Sequence, residues 1–577
     1  MMRQRKPIGK DLLVRERGSV RKKWKDQLPI ALVFPNTYHV GMSNLGFQIV
    51  YSLLNSHSHI VCERVFLPES AGSRPVSVES GRPLADFPVV FCSISFEQDF
   101  LTLVQMLHVA EIDFLAATRQ PNTIGSEPGG HLLVAGGVAT AINPEPLAPY
   151  FDLMMIGEGE PVLPLVIDLL VKSWPVRDRH SFLVELASSI RGCYVPGLYD
   201  VEYADDGTIV DMVPRFGVPA RIRRTVLGGR DQVGHSTIFS PDTEFAEMYL
   251  AELGRGCSRG CRFCAAGFVY RPPRLWSPEA IVRVLAARPA DISRVGLLGM
   301  EMVGPADLKN LAEHLLEDNC SLSFSSLRAD NMSDELLDLL KRSRLKSAAI
   351  APDGGSERLR KVINKGITET DVFTAAESLV RAGVNTIKLY FMIGLPTETE
   401  EDLEEMVRLV LEIKQKILEV GRSRGRLSNL VLSVNSFVPK AWTPFQFHPF
   451  EVLDVLRRRL KYLHKKLGNQ PNVRIMSDPP EKAFWQAVLA RGDRRVGEAL
   501  RMIAVERGNG LKTLIAAGIE PENFVYRKRS KEELFPWDII DHGISRQFLW
   551  QEYQLALKAK TTPKCETAHC KRCGVCL

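Results

Sequence analysis

The sequence predicts an α/β protein of several domains: a Rossmann-like doubly wound sheet, a second block of strand–helix units, and a mainly helical C-terminal region. Three observations lead there. Short apolar segments alternate with amphipathic helical stretches over residues 28–170, the pattern of buried parallel strands with covering helices. A second alternation of the same kind runs over residues 242–450. The length of 577 residues exceeds what one hydrophobic core serves.

Residues 1–27 are basic and irregular and read as a solvated tail; a nucleic-acid arm is the competing reading, with Trp24 its only aromatic. The first strand is expected at 30–34, ending at Pro35-Asn36. A helix follows with Leu45, Ile49 and Leu53 on one stripe. Further strands are expected at 89–92, 132–135 and 153–156. Ligands of a doubly wound sheet bind at the carboxyl ends of its strands. Those ends carry Ser93, Ser95, Gly136, Gly137, Gly157 and Glu158, small residues for the most part, which let a large flat ligand approach the backbone. Residues 171–241 read as a linker with a β-hairpin turning at Asp205-Asp206-Gly207.

The densest chemical signal is Gly254-Arg255-Gly256-Cys257-Ser258-Arg259-Gly260-Cys261-Arg262-Phe263-Cys264. Thiolates select zinc, copper(I) or iron–sulfur clusters. A closed zinc site needs four ligands, and this run supplies three. A [4Fe–4S] cluster on Cys257, Cys261 and Cys264 leaves one iron open; a zinc knuckle borrowing a distant ligand is the competing reading. Arg255, Arg259 and Arg262 are expected to set positive charge beside the cluster. Strands follow at 294–298, 321–328, 347–351, 385–393 and 430–434, the first preceded by a helix capped by Ser277.

Residues 451–557 read as mainly helical, with a basic helix around Arg457, Lys461 and Lys465 whose plain reading is a solvated face. Residues 558–577 form a Cys-rich tail lying outside the second block. There Cys565, Cys570, Cys573 and Cys576 are enough to close a second metal site, either an iron–sulfur cluster or zinc. Cys62, Cys92, Cys193 and Cys320 stand among apolar neighbours as buried thiols.

The net charge of +6 is small for this length and gives no reason to expect nucleic acid. No apolar run is long enough to span a bilayer, and the N-terminus lacks the apolar core of a signal peptide, so a cytoplasmic location is expected.

The cysteine run, with Phe263 before its last cysteine and Ala266-Gly267-Phe268-Val269-Tyr270-Arg271-Pro272 after it, resembles the radical S-adenosylmethionine (SAM) superfamily. It is most similar to a bacterial family with an N-terminal cobalamin-binding-like domain. The resemblance implies that the second block is a partial (β/α)6 barrel. It implies a SAM pocket of Phe263, Gly299, Met300, Glu301, Arg328, Ser356, Glu357, Arg358, Gly394 and Pro396, with Met300 replacing the second glycine of the family's Gly-Gly-Glu turn. A solvated helix start is the plain reading of Glu357 and Arg358. It also implies cobalamin on the first domain, with His39 the candidate axial ligand, although the loop around it lacks the family's aspartate and glycine spacing. A hydrogen-bonded loop histidine is the alternative.

The implied activity is reductive cleavage of SAM at the cluster, followed by cobalamin-dependent methyl or other radical transfer to a substrate no motif names. The alternatives are methylthiotransferase-like sulfur insertion, with the C-terminal cysteines holding the donor cluster, and an iron–sulfur RNA-binding or redox-sensing protein. The implied partner is a low-potential electron donor of the flavodoxin or ferredoxin type.

Overall fold

The computed structural model describes residues 10–70, 72–119, 122–127, 129–299, 320–324, 327–506 and 510–576. The first sheet comprises β1 (Leu28–Phe34), β2 (Ile60–Phe66), β3 (Val89–Ser93), β4 (Leu132–Gly136), β5 (Leu153–Met155) and β6 (Cys193–Tyr194). Their order is β2-β1-β3-β4-β5-β6, parallel throughout except for the β5–β6 pair. The strand order reverses between β1 and β3, which makes that junction the switch point of a doubly wound sheet.

β2 has no wholly apolar run because Glu63 and Arg64 stand in its middle, yet all seven of its residues are buried. Arg64 is accommodated by Glu16 at 2.7 Å and Glu79 at 2.6 Å, both nearly inaccessible, with the Tyr51 ring 5.0 Å away. A buried guanidinium is tolerated only with such partners.

Glu16 belongs to the segment expected to be a solvated tail, and over residues 10–27 that expectation fails. Leu12 and Leu13 are buried, Lys22 donates to the carbonyls of Asn55, His57 and Ile60, and Trp24 donates to Glu63. The segment straps the sheet because its polar groups reach carbonyls and carboxylates left at the sheet's edge. The sheet also continues past residue 170, since the apolar pair Cys193-Tyr194 adds β6 as an antiparallel edge.

A hairpin of β7 (Tyr199–Tyr203) and β8 (Ile209–Pro214) follows, then the short β9 (Ile222–Arg223). The second block opens with β10 (Tyr249–Glu252), which pairs in parallel with β13 (Arg294–Leu298) and it with β14 (Ser321–Phe324). Between β10 and β13, the short β11 (Gly254–Arg255) and β12 (Arg274–Leu275) form an antiparallel clip. Four more parallel strands follow: β15 (Ser347–Asp353), β16 (Thr386–Ile393), β17 (Asn429–Ser436) and β18 (Val473–Ser477). A parallel bridge from Leu327 to Ile350 joins the two groups. Among the described residues this gives an arc of seven parallel strands whose first and last members do not pair.

The seventh strand, β18, lies in the region expected to be mainly helical. Its five residues, Val-Arg-Ile-Met-Ser, are too short for a periodic signal between the helices Leu453–Leu467 and Pro480–Arg491. Near the C-terminus β19 (Ile540–Asp541) pairs in parallel with β9, and the helix Arg546–Leu557 precedes the cysteine tail. Among the described residues no helix is long and apolar enough to cross a membrane.

Candidate active site

β10 delivers the cysteine loop, and the β11–β12 clip pins its base. Gly256 holds φ +85°, and a Cβ there would lie 2.6 Å from the Tyr270 carbonyl oxygen, so only glycine fits. Cys264 caps the helix Ala265–Val269, its Sγ accepting from Gly267 N–H at 3.4 Å. Burial, and then the charges of Cys261 and Cys257, pushes the Cys264 thiol up to about 11. Burial opposes the charge of Arg328, but Asp330 and then Cys261 keep it protonated, which places a cation beside the thiols.

Among the described residues no three His, Cys, Asp or Glu side chains converge on a single-ion point. A four-iron cluster does not ask for that, because each thiolate binds a different iron. Three neighbouring soft donors on a glycine-bent loop, with Arg328 alongside, fit such a cluster.

The three arginines of the motif do not serve as free charge beside it. Arg255 reaches Glu252 at 3.0 Å, Glu160 at 2.6 Å and Glu158 at 3.3 Å. Arg259 pairs with Asp330 at 2.9 Å. Arg262 is fully buried and pairs with Glu552 at 3.0 Å while donating to the carbonyls of Val362 and Lys560. Each ties the loop to a different part of the chain, and all the partners but Glu252 lie too far away in sequence to be foreseen.

Of the expected SAM residues, Met300 and Glu301 lie outside the described residues. Arg328 stands at the thiols, and Phe263 lies 5.9 Å from the Lys365 ammonium. Ser356 and Arg358 are drawn to the turn after β16: both bond the Asp402 carboxylate, and Arg358 also donates to the Thr397 carbonyl at 2.6 Å. That network joins them to the Gly394–Pro396 turn, where Gly394 has φ +80° and its N–H donates to Glu398 at 2.6 Å. Glu357 faces water, paired with Lys361 at 3.2 Å.

Beside Arg328 the structure adds residues the site assignment lacked. Buried Asp353 accepts from Lys365 at 2.6 Å, and the Lys365 carbonyl accepts from Arg328 at 2.8 Å. Asp353 precedes a Gly-Gly pair at a strand end, a legible signal; Lys365 follows a helix and has none.

A cavity of about 520 Å³ lies between the first sheet and the start of the arc. Ser93, Ser95, Gly136, Gly137, Gly157 and Glu158 all line it, facing Arg255, Tyr270 and Gly299 across it. Gly137 and Gly157 hold φ +116° and +113°, and any Cβ there would strike the carbonyls of Ile94 and Thr225. Gly136 is different: a Cβ would meet only Met155, at 3.6 Å, so its missing side chain is open space.

Glu158 lines the cavity, but its carboxylate is engaged by Arg274, Arg255 and the Leu227 N–H. Burial would raise its pKa, yet the Arg274 hydrogen bonds hold it below the ordinary value. His39 does not line the cavity; it is exposed on the short helix Tyr38–Gly41, and its Nδ1 lies 3.0 Å from the Asp242 carbonyl. No histidine is among the described lining residues, so the cavity's large glycine-floored space fits a flat cofactor but offers it no imidazole ligand.

The cysteine tail does not lie apart from the catalytic block. Cys565 N–H donates to the Ser258 carbonyl at 2.6 Å, inside the cluster loop. Asn364 donates to the carbonyls of Gly260 and Thr562, both at 3.2 Å, and Arg262 donates to the Thr562 hydroxyl. Cys573 is buried, and its carbonyl accepts from Ser545 N–H. Burial raises the Cys565 thiol to about 11, whereas a hydrogen bond from Arg572 lowers that of Cys570.

Comparison with known proteins places these features. Residues 46–196 match the family model of radical SAM proteins, N-terminal, and residues 251–410 match that of the radical SAM superfamily. The chain is 28% identical to the protein MJ0966 of Methanocaldococcus jannaschii, over 82% of this chain and 90% of that one. It is 23% identical to a tRNA-2-methylthio-N(6)-dimethylallyladenosine synthase of Pelotomaculum thermopropionicum, over 46% of this chain and 57% of the relative. Among solved structures, the radical SAM methyltransferase TsrM of Kitasatospora setae, with cobalamin and a [4Fe-4S] cluster bound, superposes with a TM-score of 0.43 at 14% identity, covering 71% of this chain and 72% of the other. With both family models matched in order and the cysteine loop inside the second, the chain carries an N-terminal radical SAM family domain followed by a radical SAM domain.

Proposed function

We propose that this radical SAM enzyme transfers a methyl or other radical-borne group with the help of a corrinoid held in the cavity of about 520 Å³. That cavity carries the reading. It sits at the strand ends of a doubly wound sheet, where such sheets bind nucleotide-like cofactors. Its far wall is the arc beside the cysteine loop, so groups held in the two places would be neighbours. When bound, a [4Fe–4S] cluster on Cys257, Cys261 and Cys264 supplies the electron that cleaves SAM, and a corrinoid supplies a carrier for the transferred group.

The chain's own residues do the rest. Arg255 and Arg274 clamp Glu158 and Glu160 of the first domain to the loop and its clip, which fixes the two cofactor spaces relative to each other. Val50, Leu53, Val138 and Met155 give the cavity an apolar wall that excludes water. Arg328 places a cation where the SAM carboxylate would lie. Electrons come from a low-potential donor of the flavodoxin or ferredoxin type. The test is anaerobic incubation with hydroxocobalamin and desalting: wild type and His39→Ala should both retain a corrinoid spectrum, and loss from both removes the corrinoid from the reading.

A second reading, methylthiotransferase-like sulfur insertion, is supported by the docking of the four-cysteine tail on the cluster loop. Metal analysis separates the two readings: cobalt uptake favours the first, and a second iron–sulfur cluster without cobalt favours the second.

A further inference from the structure

Parallel sheets are ordinarily covered on both faces, and their central strands read as continuous apolar runs. β16 departs from this on one side. Its Ile387, Leu389, Phe391 and Ile393 are almost wholly buried, while Lys388 is exposed and Tyr390 is 37% exposed. β16 is no edge strand, since β15 and β17 flank it.

The register extends this uncovered face across three strands. Lys388 aligns with Val431 and Val431 with Arg474; Tyr390 aligns with Ser433 and Ser433 with Met476. Strand spacing of about 4.8 Å puts the backbones of Lys388 and Arg474 roughly 10 Å apart with side chains on the same side, a gap two long cations can close on one anion. No hydrogen bond or ion pair to either side chain occurs among the described residues, whereas the arginines of the cysteine loop are all paired. The layer above, nearer the strand ends that hold the SAM residues, offers an aromatic ring, a hydroxyl and a thioether.

We propose that this uncovered face is the substrate-recognition surface and that Lys388 and Arg474 bind an anionic group, phosphate or carboxylate, of a small substrate whose less polar part lies on Tyr390 and Met476. The proposal rests on the radical SAM reading of the arc. Unpaired cations set side by side on one face of a parallel sheet weaken the fold by self-repulsion and gain nothing there unless an anion joins them.

The test is thermal stabilisation of the full-length protein by inorganic pyrophosphate and, separately, by citrate. Wild type should respond saturably to one of them, which assigns phosphate or carboxylate. Lys388→Gln and Arg474→Gln should each need about tenfold more anion, the size of one charge-assisted contact. Arg458→Gln, which removes an exposed cation on an outer helix, should respond as wild type does. Lys388→Met, of similar length, decides the matter if a glutamine variant fails to fold. Equal responses in wild type and the Lys388 and Arg474 variants overturn the proposal, as does no response to either anion. Binding of a short single-stranded RNA that depends on both residues, with both anions inert, overturns the small-substrate form. Failure of the underlying reading looks different: wild type then makes no 5′-deoxyadenosine from SAM under reducing conditions, whatever its anion response.

Discussion

The backbone N–H of Cys565 donates to the Ser258 carbonyl at 2.6 Å, so the C-terminal cysteine group and the SAM-cluster loop share a hydrogen bond. The peptide that begins one thiol cluster thus helps to hold the other. Deleting the tail and deleting only its thiols are therefore different experiments. Replacing Cys565, Cys570, Cys573 and Cys576 by alanine keeps the backbone tether and should remove only the second metal, leaving SAM cleavage in place. Truncation after Pro563 removes the tether as well and should also loosen the loop, lowering iron on Cys257, Cys261 and Cys264. Iron and zinc analysis of the two variants checks this; equal metal loss in both would show that the tether does not matter.

Replacement of Cys257, Cys261 and Cys264 together by alanine should abolish 5′-deoxyadenosine formation. Because the loop is pinned by the β11–β12 clip and by Arg262, which is buried against Glu552, the variant should still fold. Anaerobic product analysis beside a circular dichroism spectrum checks both halves. Persistent product would remove the cluster from these residues.

What the sequence made legible here follows from how locally each feature is specified. The CxxxCxxC spacing, the glycines at strand ends and the apolar strands are encoded within a few residues, and the structure places each as a local unit. β2 and the strap over residues 10–27 were missed together, for one reason. Arg64 makes its strand look polar until Glu16 and Glu79 neutralise it, and neither lies next to it in sequence. The same holds for Arg255, whose carboxylate partners Glu158 and Glu160 lie about a hundred residues before it. Charges whose partners are distant read as surface; here Arg64 ties the strap to the first sheet, and Arg255 ties the cysteine loop to that sheet.

Gly136 offers a clean test of the cavity. A Cβ there meets only Met155, at van der Waals distance. Gly136→Val should fold with near-native stability yet fail to retain hydroxocobalamin. By contrast, Gly137→Ala should destabilise the first domain, since its Cβ would lie 2.3 Å from the Ile94 carbonyl oxygen. Corrinoid absorbance after desalting, read beside a thermal melt, separates these outcomes. Undiminished retention by Gly136→Val would put the cofactor elsewhere.

His542 should make the chain acid-sensitive. It is fully buried, its Nε2 donates to the Ala141 carbonyl at 2.8 Å, and its Nδ1 has no partner. A second proton would sit on that unpartnered nitrogen, so burial, and then the charge of Arg224, lowers its pKa to about 3 from an ordinary 6.5. The sign follows directly. Below pH 6.5 the unfolded chain takes up a proton that the folded chain refuses, so stability falls as pH drops, until the folded histidine also titrates near 3. Within that window each pH unit costs about 1.4 kcal/mol from this group. His542→Gln keeps a donor for Ala141 and does not titrate. Urea unfolding of both proteins at pH 7 and pH 5 should therefore show wild type losing roughly 2 kcal/mol more than the variant, one and a half units below the unfolded pKa at that per-unit cost. Equal losses would mean that His542 takes up its proton without leaving the fold.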